Sequence, residues 1–150
     1  MATPQFSIGY VTGSVGIGRI SDQPPRKGSI NVLLFNLGET DEYAVVEIVK
    51  WTSVPKTEIV WKTPEPQRIQ PREGQLIEYL GTEFDGTRYW AFIYVTSDSL
   101  VPSVEFMVVN DHTLMTPPTM VGYYSPHDLV RFTIRPHAPG KPVVEPVLFE

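Results

Sequence analysis

The sequence predicts an all-β fold: a two-sheet antiparallel β-sandwich of jelly-roll or immunoglobulin-like type, with an extended N-terminal arm and a proline-rich C-terminal tail. Three observations carry this. Eighteen valines, ten isoleucines and thirteen threonines stand against four alanines, and β-branched side chains suit a pleated surface while losing rotamer freedom in a helix. Fifteen prolines and eleven glycines leave few windows that could hold a long helix without interruption. Period-two alternation recurs in about seven short segments with turn residues between most of them, the spacing of a sandwich. A chain of 150 residues is enough for one domain that buries about two-thirds of its unfolded surface.

The arm, residues 1–28, places Phe6, Ile8, Tyr10, Val15 and Ile17 among small or polar neighbours. An apolar alternating segment left loose in water invites association. Fully extended, 28 residues span roughly 90 Å, against a domain diameter near ~40 Å, so the arm can reach a neighbouring molecule. Two destinations stay open: donation to a sister chain, the preferred one, or the first strands of its own sandwich. The glycines of "VTGSVGIGRI" match neither a dinucleotide fingerprint nor a phosphate-binding loop. They read as a flexible strand that another backbone can approach closely.

The sandwich itself is expected over 29–135. In "INVLLFNLGETDEYAVVEIVKW", Ile30, Val32 and Leu34 alternate with Asn31, Leu33 and Phe35. A polar loop follows, then Ala44, Val46 and Ile48 alternate with Tyr43, Val45, Glu47 and Val49. This predicts two antiparallel strands of one sheet around a short turn. Ala44, Val46 and Ile48 face the core, and the first strand is covered on both sides. Five further strands are expected at 56–62, 75–80, 88–96, 103–110 and 129–135. In the first of these Ile59 and Trp61 share a face. Residues 111–128 read as a long proline-rich loop, and 136–150, with a proline at every third or fourth position, as an extended tail.

Composition removes several function classes. A net charge of −5 argues against a nucleic-acid partner, which requires a clustered basic face. With no cysteine there is no disulfide, thiolate nucleophile or thiolate metal site. The first twenty residues lack a basic leader and an unbroken apolar core, and no run reaches membrane-spanning length. Neither a signal peptide nor a membrane partner is therefore expected. The chain is expected to be cytoplasmic as synthesised, reaching a cell, spore or particle surface by another route such as lysis.

No catalytic constellation emerges, and the expectation is a protein that is not an enzyme and carries no cofactor or metal. His112 and His127, each beside an aspartate, would form a metal pair only if the long loop folded back, and they read as ordinary loop histidines. Glu39, Asp41 and Glu42 lack the pattern of a calcium loop and read as a solvated turn. The aromatics are more informative. Trp90, Phe92 and Tyr94 share one strand face while Tyr89, Ala91, Ile93 and Val95 share the other, so one set is core. The other set, with Trp51, Tyr123 and Tyr124, supplies the interface or ligand aromatics, for burial between sheets or subunits or for stacking on a glycan.

The strand–turn–strand "NVLLFNLGETDEYAVVEIVKW" resembles two groups: small β-sandwich proteins of the spore surfaces and appendages of Gram-positive spore-formers, and the sensory rhodopsin transducer family. The resemblance implies a compact β-sandwich oligomer and carries no site residue. The functional expectation is a structural subunit that assembles with copies of itself into a fibre, appendage or shell through its arm and aromatic faces. The alternative is a binding or adaptor module in a closed oligomer, with a glycan or protein partner.

Overall fold

Alternation of apolar and polar residues becomes two sheets because each strand has one face that water disfavours. The computed structural model describes residues 4–17, 26–53, 56–84, 88–108, 119–137 and 141–146. The strands, in chain order, are β1 (Ile8–Val11), β2 (Val15–Gly16), β3 (Arg26–Asn36), β4 (Glu42–Ser53), β5 (Lys56–Lys62) and β6 (Gln67–Ile69). They continue with β7 (Gly74–Phe84), β8 (Arg88–Val95), β9 (Leu100–Val108), β10 (Thr119–Tyr124), β11 (Val130–His137) and β12 (Lys141–Pro146). A single 3₁₀ turn at Pro126–Asp128 precedes β11 among the described residues. One sheet has the order β12-β11-β1-β8-β4-β5, with β2 against β8 and β6 against β4. The other has the order β10-β9-β3-β7. Both are antiparallel, so the protein is an all-β sandwich.

The core lies between the sheets. Ile30, Val32 and Leu34 of β3 and Val104, Phe106 and Val108 of β9 meet Ala44, Val46 and Ile48 of β4 and Tyr89, Ala91, Ile93 and Val95 of β8, all buried. The alternation in β8 therefore separates core from outer face where the sequence drew that line.

Strands β3 and β4 are not a hairpin. They lie in opposite sheets, and their buried faces look at each other across the core. The cause is Asn36, fully buried at the end of β3. Its Nδ2 donates to the carbonyls of Thr40 and Ile69, both at 2.9 Å, and its Oδ1 accepts from the Gly38 amide at 2.9 Å. This pinned side chain turns the "NLGET" loop from one sheet to the other. Nor is β3 covered on both sides, since Leu33 and Phe35 are exposed.

The arm is corrected in the same way. From Ser7 to Val11 its backbone is paired on both sides: β1 pairs with β8 and with β11, extended by Ser7 N to Val95 O and Ile134 N to Ser7 O, each 3.0 Å. Ile8, Tyr10, Val15 and Ile17 are buried in the core of their own domain, and Phe6 is half-buried. An interior strand has no free edge to offer a neighbour. Ile59 and Trp61 do not share a face either. A bulge between Ile48 and Val49 opposite them turns Ile59 outward and packs Trp61 on the core. The expected long loop contains β10, paired with β9, and the expected tail contains β12, paired with β11. Residues 18–25, 109–118, 138–140 and 147–150, including His112, lie outside the described residues.

Candidate functional site

Two outer sheet faces carry the side chains that the core does not use. On the larger sheet, Trp90, Phe92 and Tyr94 project from β8 beside Val45, Glu47 and Val49 of β4. Phe132 of β11 crosses over Gly9 of β1, where any β-carbon would strike its ring. It packs edge-on against Phe92 at 6.4 Å and Tyr94 at 6.1 Å between centroids. Phe92 and Tyr94 themselves are stacked at 6.5 Å. A groove of ≈ 710 Å³ beside them is lined by Glu47, Val49, Thr57, Ile59, Trp90, Phe92 and Tyr94. Burial, the Glu47 charge and a hydrogen bond to that carboxylate push the Tyr94 phenol above its ordinary value. It therefore stays a donor to Glu47 at physiological pH.

On the four-stranded sheet the outward residues fall into rows set by register. Phe35 lies between Gly74 and Val101, and Leu33 between Leu76 and Ser103. Asn31 lies between Glu78 and Glu105 with Tyr123 beyond, and Ser29 between Leu80 and Met107 with Met120 beyond. Leu33, Phe35, Leu76, Leu80, Met120, Val121 and Tyr123 are 38–68% exposed. A hollow of ≈ 350 Å³ is lined by Asn31, Leu33, Leu76, Ser103, Val104, Glu105 and Tyr123.

The sequence-predicted aromatics therefore separate. Trp90, Phe92 and Tyr94 come together on one groove, and Trp51 sits near the end of β4 on the same sheet, 36% exposed. Tyr123 belongs to the opposite sheet, and Tyr124 turns inward to pack edge-on against Phe106 at 6.0 Å. The arm residues reach no outer face. Sequence reasoning missed Leu33, Leu76 and Leu80 as exposed residues. For Leu33 the signal was apolar residues on both faces of β3, which read as double coverage.

The polar constellations stay local. Asp41 pairs with Arg68 at 3.3 Å, and Glu42 accepts from the Thr96 hydroxyl at 3.3 Å. His127 is exposed in the 3₁₀ turn, where Asp128 accepts from the Ser125 amide and hydroxyl. Among the described residues no three metal-ligating side chains converge, and no helix is long and apolar enough to cross a membrane. No family model matches the chain, and neither a curated protein nor a solved structure matches it.

Proposed function

We propose that this protein is a non-enzymatic structural subunit that associates with copies of itself through its sheet faces, building a larger assembly. The observation that supports this is the outer face of the four-stranded sheet. Soluble monomers rarely expose a contiguous apolar patch larger than a few hundred square ångströms, and larger ones mark interaction sites. Here apolar side chains from all four strands flank a single polar row at Asn31. The arm contributes by completing the sandwich that presents this face, not by crossing to a neighbour.

The test is Leu33→Lys with Leu80→Lys. Both side chains are more than half exposed, so the fold should lose no more than about 0.5 kcal/mol per site. Association should weaken at least ~10-fold, since charges buried at an interface core are strongly disfavoured. Light scattering after size exclusion and negative-stain microscopy read the result. A wild-type chain that stays monomeric at high concentration at neutral and acid pH alike removes the proposal.

The groove beside Trp90 favours a second reading, a glycan-binding module. Its volume is within the ~300–1,000 Å³ of ligand sites, aromatic rings stack on sugar faces, and Glu47 and Thr57 offer polar contacts. Under this reading Trp90→Ala abolishes glycan-array binding while the melting temperature moves only a few degrees. An array without signal for the parent chain discards it.

A further inference from the structure

The middle row of the four-stranded face departs from its surroundings. Glu78, Asn31 and Glu105 lie side by side, with Leu33 and Leu76 on one flank and Leu80 and Met107 on the other. Asn31 Nδ2 donates to Glu105 Oε1 at 3.0 Å, while Asn31 Oδ1 is buried without a hydrogen-bond partner. A buried acceptor left unsatisfied is unfavourable, because it has given up water without gaining a donor. An ionised glutamate cannot relieve it, because it only accepts. A protonated one carries an O–H that can.

The occupant of this face is a second copy. Four strands about 4.8 Å apart and about nine residues long give a face of about 19 by 30 Å, near 600 Å². Two such faces remove about 1,200 Å² from water, the lower edge of a stable interface. A twofold pairing centred on β3 is self-complementary and brings two Glu78 and two Glu105 into one strip between leucines. The other described titratable side chains of these strands are Lys27 at the start of β3, Tyr123 in the same row, and Tyr79 and Tyr124 on the inner side. Lys27 lies four residues, about 13 Å, from Asn31 along the strand, beyond the ~8–10 Å over which charges act through physiological salt.

We propose that acid gates this pairing: the charged Glu78 and Glu105 hold two copies apart, and on protonation they enter the interface and donate to the Asn31 carbonyl oxygen. The inference rests on self-association through this sheet and adds its regulation. Light scattering after size exclusion is run at about pH 7.5 and again after acidification, with circular dichroism at both to confirm folding. Wild type is expected to pass from monomer to dimer on acidification. Glu78→Gln with Glu105→Gln, which removes both charges and keeps the acceptor for Asn31, is expected to pair at least ~10-fold more tightly than wild type at the higher pH, with little further change on acidification. A double variant as weak as wild type at pH ~7.5 overturns the gate. So does acid pairing that survives Leu33→Lys, because another face is then in use. Equal pairing of wild type at both pH values through the Leu33 face overturns the gate and leaves self-association standing. No pairing of either protein at any pH overturns both.

Discussion

Removing residues 1–17 will unfold the protein. The arm that looks like an appendage in the sequence supplies β1, which lies between β8 and β11 and is bonded to both. Its loss leaves two interior strands with bare edges and cuts β11 and β12 away from the rest of their sheet. Ile8, Tyr10, Val15 and Ile17 leave the core together. At about 1.5–3 kcal/mol for each buried side chain, roughly 6–12 kcal/mol of burial disappears, comparable with the ~5–15 kcal/mol that holds a whole domain folded. Far-ultraviolet circular dichroism of the truncated chain should show no cooperative thermal transition. An arm donated to a neighbour predicts the opposite, a folded chain that has lost only its assembly. A truncated protein that still melts cooperatively would therefore return β1 to the role of an exchangeable strand.

The fold class was legible because it depends on local chemistry. The strict alternation of Tyr89, Ala91, Ile93 and Val95 with Trp90, Phe92 and Tyr94 assigns β8 its two faces wherever that strand sits. Sheet membership is a different kind of information. Whether β3 and β4 form a hairpin or cross between sheets depends on Asn36 reaching the Ile69 carbonyl, 33 residues away, and no window around Asn36 contains Ile69. Strand β10 escaped notice because Pro117 and Pro118 precede it and Gly122 interrupts it. Gly122 faces Val15 and Phe106 closely enough that a β-carbon would crowd Val15 at 3.1 Å. Strand β12 was hidden by its prolines, and its pairing with β11 leaves it at the sheet edge, where proline is tolerated.

The surfaces were partly legible for the same reason. Trp90, Phe92 and Tyr94 were readable as one group because a single strand carries them. The row Glu78–Asn31–Glu105 is assembled from three strands, so its charge and its orphaned acceptor become visible only once register is fixed. Apolar residues on both faces of β3 are compatible with a strand covered twice or with one whose outer face is open within the chain. Leu33 at 51% and Leu80 at 68% exposure point to the second within one chain.

Gly28→Ala should be the most damaging single methyl group in the molecule's four-stranded sheet. Gly28 lies on β3 between Gly81 of β7 and Val108 of β9, beside a register shift. A β-carbon there would run into the Met107 carbonyl oxygen and reach 3.0 Å from the Phe84 ring, and the ring of Phe84 in turn covers Gly81. Phe84 is 1% exposed and meets Tyr89 of the opposite sheet edge-on at 4.9 Å, so it cannot retreat without opening the core. The carbonyl cannot retreat either, because β9 is held between β3 and β10. Overpacking against backbone costs about 3 kcal/mol, and for a domain of this size each kcal/mol moves the melting temperature about 2–4 °C. A loss of about 6–12 °C is expected by calorimetry. Gly74→Ala provides the control: its β-carbon meets the Phe35 ring at 3.4 Å, an ordinary contact, and a less flexible unfolded chain offsets any crowding, so its melting temperature should stay within about 2 °C. Equal effects at the two glycines would mean that β3 does not approach β9 as closely as the sandwich requires, and the outer rows built on that register would fall with it.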